Sequence, residues 1–429
     1  MGMIEIREPI EKVFLVGAPE LAVPSDAVEE HLEELARLTD TAGGEVVGSL
    51  VQRLRSPNPA TFIGRGKVDE LKLAVSAAAA TLVVFDEDLT PAQGSALEAR
   101  LEIRVMDRTE LILDIFALHA RTAEAKLQVE LAQLRYMRPR LKRMWTHLSR
   151  QAGIGARGPG EQQIETDRRL IDRRITRLED ELKHIARSRK TRRKGRRDEF
   201  RVSLVGYTNA GKSSVLRALS GSDLLVEDRL FATLDSATRV VELGSGQRAL
   251  VTDTVGFIRK LPHNLVASFR ATLEEVEDAD LLLHVIDASA NWQEQVDSVN
   301  RVLQQLEKRQ GEIVLVFNKI DRLTHEEETA LRARTELLGP RVFSSAYEPG
   351  GTDGLRAELR RRIQSTRPTV RVSFPSSDGR TLAEAYREGE VLERLDNGGT
   401  IVLTARIPEA LLGRWSAQDG IEVVRQDAA

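Results

Sequence analysis

The chain predicts an α/β protein built from several domains, and three observations predict it. Short apolar runs alternate with helix-patterned stretches over most of its length. A glycine-bearing loop, Gly206-Tyr207-Thr208-Asn209-Ala210-Gly211-Lys212-Ser213, joins the apolar run Phe200 to Val205 to a helical stretch through Leu219. At 429 residues the chain is long for one core, and about three domains are expected. Together these give a mainly parallel, doubly wound sheet carrying the loop, an N-terminal α/β domain with a long helical hairpin, and a small C-terminal α+β domain. The expected bounds are 1–108 for the N-terminal domain, 109–197 for the hairpin with its basic linker, 198–365 for the loop-bearing domain and 366–429 for the last.

Taken in order, Val13 to Val16 reads as a strand, Ser25 to Leu38 as a capped helix, and Glu45 to Leu54 as a second strand. A loop then holds Pro57, Pro59 and Phe62-Ile63-Gly64-Arg65-Gly66-Lys67, whose Gly-x-Gly-Lys lacks the spacing of a full phosphate loop and reads as a turn. Lys67 to Ala79 is helical, Thr81 to Phe85 a strand, Thr90-Pro91 a helix start and Ile103 to Met106 a strand.

From Thr109 to Arg150 the pattern is helical with few interruptions, with Leu111, Ile115, Leu118, Leu127, Leu131 and Leu134 at three- and four-residue steps. Pro139 should break it. The glycine-rich stretch Ala152 to Gly160 follows, then a second helical pattern from Glu161 to about Arg193. Two helices joined at such a tip make a hairpin. Basic residues outnumber acidic ones from Arg135 to Arg197, with Tyr136, Trp145 and His147 among them, which fits contact with structured RNA; a solvated coiled coil is the plainer reading. Lys190 to Arg197 is a basic linker.

Strands are then expected at Arg239 to Leu243, Leu250 to Asp253, Leu281 to Asp287, Ile313 to Asn318 and Val342 to Ser345. The last domain reads strand, helix, strand, short helix, strand, at Val370 to Phe374, Leu382 to Leu395, Thr400 to Ala405, Ala410 to Trp415 and Ile421 to Val424. A net charge of -3 confines any nucleic-acid contact to a local patch, and the absence of cysteine excludes disulfides and thiolate chemistry. No apolar run approaches the roughly 18 to 20 residues of a membrane span. A cytoplasmic, monomeric protein without DNA contact is expected.

The loop has the Gly-x-x-x-x-Gly-Lys-Ser pattern between strand and helix. Its glycines let backbone N–H groups close on phosphate oxygens, Lys212 brings a point charge to the outer phosphates, and the Ser213 hydroxyl can join a magnesium shell. Gly206 to Ser213, with Ser214 next in the helix, form the expected cradle of a nucleoside triphosphate. The base is read by Asn318-Lys319-Ile320-Asp321. The Asp321 carboxylate can accept both the N1 and N2 donors of guanine, a pair adenine does not offer. Asn318 can hydrogen-bond the base and tie back to the phosphate loop, the Lys319 stem can stack on the ring, and Ser345-Ala346 can add a backbone N–H toward the guanine oxygen, with Ser344 also expected at the nucleotide. Between the two motifs, Asp253-Thr254-Val255-Gly256 supplies a carboxylate for magnesium and a Gly256 N–H for the γ-phosphate. Thr233, in Phe231-Ala232-Thr233-Leu234-Asp235, is the candidate switch threonine that completes the metal shell. Lys212, Thr233 and Gly256 are the expected catalytic groups, and Ser213, Thr233 and Asp253 the expected magnesium ligands. The pattern is that of a P-loop GTPase domain binding GTP and GDP. Phe257 stands where Ras-like GTPases carry a water-orienting glutamine, so hydrolysis by the free chain should be slow. The Asn209 amide can ligate a potassium ion in the place of an arginine finger's charge.

The whole chain resembles the HflX family of ribosome-associated GTPases. The match runs through Asp107 to Phe116, Lys126 to Arg135, Gly158 to Glu161, Glu165 to Arg169, Phe231 to Asp235 and Asp253 to Phe257. It departs at Ala152-Gly153, where the family usually has paired glycines, and at Ser236-Ala237, where it usually has Pro-Thr. The resemblance implies binding to the large ribosomal subunit, contact with ribosomal RNA near the peptidyl-transferase region through the N-terminal domain and hairpin, and GTP-dependent splitting of stalled ribosomes under stress. An RNA-remodelling ATPase and a GTP-regulated ribosome-assembly scaffold are the alternatives from other classes.

Overall fold

In a computed structural model the described residues are 10–141, 159–193, 199–222, 229–244, 247–260, 270–304 and 312–426. They pack as two units. One comprises Met1–Arg187, Asp228–Asp235 and Lys260–Arg270, the other Ser188–Glu227, Ser236–Arg259 and Ala271–Ala429.

The first unit is built on a four-stranded parallel sheet, β1 (Lys12–Gly17), β2 (Glu45–Val51), β3 (Leu82–Phe85) and β4 (Arg104–Asp107), in the order β2-β1-β3-β4. Its core is Phe14, Val16, Val83, Phe85 and Val105 against Leu71 and Leu97 of the covering helices α2 (Arg65–Ala77) and α3 (Pro91–Leu101), which follow α1 (Ser25–Thr41) in the chain. Thr90 caps α3, accepting from the Gln93 N–H, with Pro91 in the first turn. Arg65, Gly66 and Lys67, expected in a loop, form the first turn of α2.

The long helical stretch is two helices, α4 (Arg108–His119) and α5 (Ala123–Met137). Thr122 separates them by capping α5, its side chain accepting from the Ala125 N–H, a stop and restart that the apolar periodicity does not show. Helix α5 ends before Pro139, as expected, in a short 3-10 turn over Arg138–Arg140. Helix α6 (Pro159–Arg193) is tied to α5 by Arg135–Glu179 at 2.7 Å and by the two-pronged Arg174–Glu130 pair at 2.7 Å for each bond. Trp145, His147, the expected tip from Ala152 to Gly158, and Lys194 to Arg197 lie outside the described residues.

The second unit holds a six-stranded sheet in the order β10-β9-β8-β5-β7-β6. Its strands are β5 (Phe200–Gly206), β6 (Ala237–Gly244), β7 (Gln247–Asp253), β8 (Leu281–Asp287), β9 (Glu312–Asn318) and β10 (Arg341–Phe343). All neighbours run parallel except β6 and β7, a hairpin edge. Strands β5, β8 and β9, buried on both faces, are near-continuous apolar runs, as parallel strands require. Helix α7 (Lys212–Ser220) opens directly after the glycine loop and buries Val215, Leu216 and Leu219 in the sheet core.

The C-terminal sheet is antiparallel in the order β12-β13-β11-β14, from β11 (Thr369–Pro375), β12 (Glu390–Asn397), β13 (Thr400–Arg406) and β14 (Glu422–Arg425). Here the expected helix over Leu382 to Leu395 is wrong in its second half. The helix stops at Glu388 and β12 begins at Glu390. Gly389 lies between them, and a Cβ there would meet Ile407 Cδ1 at 2.3 Å. Gly398 and Gly399, at φ 49° and 104°, then turn β12 into β13 as a tight hairpin. Among the described residues no helix is long and apolar enough to cross a membrane.

Candidate functional site

The loop between β5 and α7 bends through Asn209 at φ 60° and Gly211 at φ 94°, both in the left-handed region. At Gly211 space matters as well, because a Cβ would fall 2.3 Å from Asn318 Nδ2. Lys212 is buried, and its Nζ donates to the Gly206 and Tyr207 carbonyls at 3.2 and 2.9 Å. Burial pushes its pKa down to about 8; Asp253 opposes that shift and the positive charge of Lys319 adds to it.

Strand β7 ends on Asp253, beside the first turn of α7. Ser213 Oγ donates to Asp253 Oδ2 at 2.5 Å, while Asp253 Oδ1 is buried with no partner among the described residues. Burial raises the Asp253 pKa, and the Lys212 ammonium holds it back. A hydroxyl and a carboxylate converging, with one buried oxygen unmatched, is a donor set that fits a hard divalent cation such as magnesium.

The backbone after Gly256 lies along the phosphate loop. Phe257 N donates to Gly206 O at 3.0 Å, Thr208 N donates to Phe257 O at 2.6 Å, and the Tyr207 hydroxyl accepts from Arg259 N at 2.8 Å. Phe257 is itself buried. Thr254 Oγ1 anchors the same segment to Leu204 O at 2.6 Å.

Strand β9 delivers the third motif. Asn318 Nδ2 donates to Ala210 O at 3.0 Å, the tie to the phosphate loop expected from the sequence. Lys319, in the left-handed region at φ 64°, sends Nζ to Asn209 O at 2.7 Å and to Asp287 Oδ2 at 2.6 Å. Asp321 follows in a single 3-10 turn, Ile320–Arg322. Ser344 Oγ lies 3.4 Å from Asn318 Oδ1, and the Ser345 N–H is bonded to Gly351 O at 2.9 Å. The structure thus gathers Gly206 to Ser214, Asp253 to Gly256, Asn318 to Asp321 and Ser344 to Ala346 at one edge of one sheet. Phe231, Ala232 and Thr233 group with the first unit, where the buried Phe231 meets Phe116 edge-on at 4.7 Å.

Sequence reasoning missed Asp287. Its only signal was an acid closing an otherwise buried strand, followed by Ala288-Ser289.

Parallel strands of one sheet, β5, β7 and β9, that end respectively in a lysine-bearing phosphate loop, an acid aimed at its serine and an Asn-Lys-x-Asp turn bonded back to it define a GTPase of the P-loop class. Comparison with known proteins narrows the class. Residues 29–117 match the family described as "GTP-binding GTPase N-terminal", residues 119–196 "GTP-binding GTPase Middle Region", and residues 201–319 "50S ribosome-binding GTPase". The chain is 44% identical to the "GTPase HflX" of Magnetococcus marinus over 429 residues, covering 98% of this chain and 99% of that one. It is 43% identical to the "GTPase HflX" of Escherichia coli strain K12 over 384 residues, covering 88% and 90%. A crystal structure of a GTP-binding protein from Sulfolobus solfataricus with GDP aligns at 23% identity and a TM-score of 0.44, covering 83% of this chain and all of that one, 100%. The chain belongs to the HflX family of GTPases.

Proposed function

We propose that the chain is a GTP-driven switch that binds the large ribosomal subunit through ribosomal RNA and splits stalled or idle ribosomes under stress. One observation carries the switch. Asp235, which closes the candidate switch segment Phe231 to Asp235, caps the start of α5: its carboxylate accepts from the Arg121 and Thr122 N–H groups at 3.1 and 3.2 Å and from Thr122 Oγ1. The segment that would sense a γ-phosphate is thereby bonded to the root of the helical hairpin, the element whose charge suits RNA. A ribosomal target is supported by the family description that residues 201–319 match.

Within the site, Lys212 and the loop amides hold the phosphates, Asp321 selects guanine, and Asn318 fixes the base motif to the loop. Ala346 is the better candidate for a backbone donor to the guanine oxygen, since the Ser345 N–H is engaged. Ser213, Asp253 and Thr233 would hold magnesium, which when bound neutralises charge building on the phosphates. Asn209 would take a potassium ion. The chain would act as a cytoplasmic monomer.

Assembled ribosomes mixed with the protein and GTP, then sedimented through sucrose, test the proposal. Free subunits should appear with GTP and the wild-type chain, and fail to appear with Lys212→Ala. Intact ribosomes in both samples would overturn it.

A further inference from the structure

Asp287 belongs to none of the three nucleotide motifs, yet it is bonded on every side. It is the last residue of β8, in register with Asn318 on β9, so its side chain emerges at the root of the base-reading turn. Oδ2 accepts from the buried Lys319 ammonium at 2.6 Å. Oδ1 accepts from the Ser289 N–H at 3.0 Å and the Ser289 hydroxyl at 2.6 Å. The Asp287 N–H donates to Gln295 Oε1 at 3.1 Å. The carboxylate therefore cannot rotate without losing a bond.

Lys319 needs such a partner for two reasons. Its ammonium is buried, and a buried cation without a counter-charge is expensive. Asp321 cannot serve as that partner if its two oxygens are to meet the guanine edge. Asp287 supplies the second carboxylate and splits the labour: one acid for the base, one for the lysine. With its backbone fixed in the left-handed turn and its ammonium fixed between Asp287 and Asn209, the Lys319 stem has one lie, and a stem held flat presents an apolar face to a ring. Neutralising Lys319 also limits its repulsion of Lys212, whose charge is already disfavoured by burial.

We propose that Asp287 is a positioning residue for guanine nucleotide binding, acting through Lys319: it holds the lysine stem as the platform for the base and the lysine ammonium against the Asn209 carbonyl. This rests on reading Asn318 to Asp321 as the guanine subsite.

The experiment measures GDP dissociation constants on the full-length chain, by displacement of a fluorescent GDP analogue, for wild type, Asp287→Asn, Lys319→Met and the double variant. Asp287→Asn should weaken GDP at least about tenfold. The double variant should lie within about twofold of Lys319→Met, because the acid has no lysine left to place. A merely structural role would make Asp287→Asn cost the same factor in both backgrounds, and that additive result overturns the proposal, as does wild-type affinity in Asp287→Asn. Should Asp287→Asn fail to fold, the double variant, which carries neither charge, must fold and bind as Lys319→Met does; if it does not, the proposal falls. Asp321→Asn in the same assay keeps the two readings apart. If it fails to shift preference from GDP toward xanthosine diphosphate, the subsite reading fails; if it shifts preference while Asp287→Asn is additive, only the role of Asp287 fails.

Discussion

Gly256→Ala tests the contact that closes the Asp-Thr-Val-Gly segment over the phosphate loop. A Cβ built on Gly256 lies 2.7 Å from Thr208 Cα and 3.0 Å from both Thr208 Cβ and Lys212 Nζ, against the 3.4 Å at which ordinary contact begins. Its first obstacle is backbone, which cannot swing aside as a side chain can. The segment must retreat by roughly 0.7 Å, and the two bonds across the gap, now 2.6 and 3.0 Å, then stretch to or past the limit of a useful hydrogen bond. At about 1 kcal/mol each, their loss costs roughly 2 kcal/mol, within the range of overpacking penalties generally. That figure predicts about thirtyfold faster hydrogen exchange at the Phe257 and Thr208 amides of the full-length variant, with amides of β9 unchanged. Because Gly256 is also the expected γ-phosphate donor, GTP hydrolysis should fall at least about tenfold. Wild-type exchange at both amides would show that the close approach does not hold the segment, and would refute the reasoning.

The remaining predictions concern buried polar groups of the second unit. Asn318→Ala removes the bond to Ala210 O and leaves that carbonyl unmatched, so unfolding in urea should show a loss of about 1–3 kcal/mol and GDP affinity should fall at least about tenfold. Lys212, with its pKa at about 8 before phosphate arrives, is charged at lower pH in both free and bound protein, so affinity for GDP should be flat there. Above pH 8 the free protein loses a proton that the complex keeps; log affinity should then fall toward one unit per pH unit, and calorimetry in two buffers at a pH about one unit higher should show uptake approaching one proton. His284 is buried with neither ring nitrogen partnered among the described residues, and burial first, then Lys212, lowers its pKa to about 4. As pH falls from 6.5, the unfolded chain binds a proton that the folded chain refuses until about pH 4, so stability should drop by about 3 kcal/mol over that window; His284→Leu should flatten this acid limb in urea titrations.

Much of the site was legible because its parts are local. Gly206 to Ser213 and Asn318 to Asp321 are short runs whose chemistry depends on residue type and on a strand before them, and both strands are mostly apolar. The Asn318 tie to the loop could be expected because an amide at that place has few other uses. Asp287 could not be found the same way, since its role depends on β8 lying between β5 and β9, an order that a linear reading does not contain. The grouping of Phe231 to Asp235 with α4 and α5 is similarly a matter of which buried ring meets which, Phe231 with Phe116. The missed strand β12 has another cause. Leu382 to Leu395 keeps a helical spacing across Gly389, whereas Glu390 to Asn397 pair with β13, a partner that the spacing within this stretch does not reveal.

What joins these observations is that the base end and the phosphate end of the site are one piece. Ala210 O accepts from Asn318, Asn209 O accepts from Lys319, and Gly211 lacks a Cβ just where Asn318 Nδ2 would strike one. Asn318 and Lys319 of the base motif are therefore spent partly on the shape of the phosphate loop. Specificity and affinity then respond to different residues. A change at Asp321 alters only the edge presented to the base and should exchange one purine for another at similar affinity. A change at Asn318, Lys319 or Asp287 loosens the loop as well, and should weaken every purine nucleotide together, because the phosphates are held by amides whose positions those side chains fix.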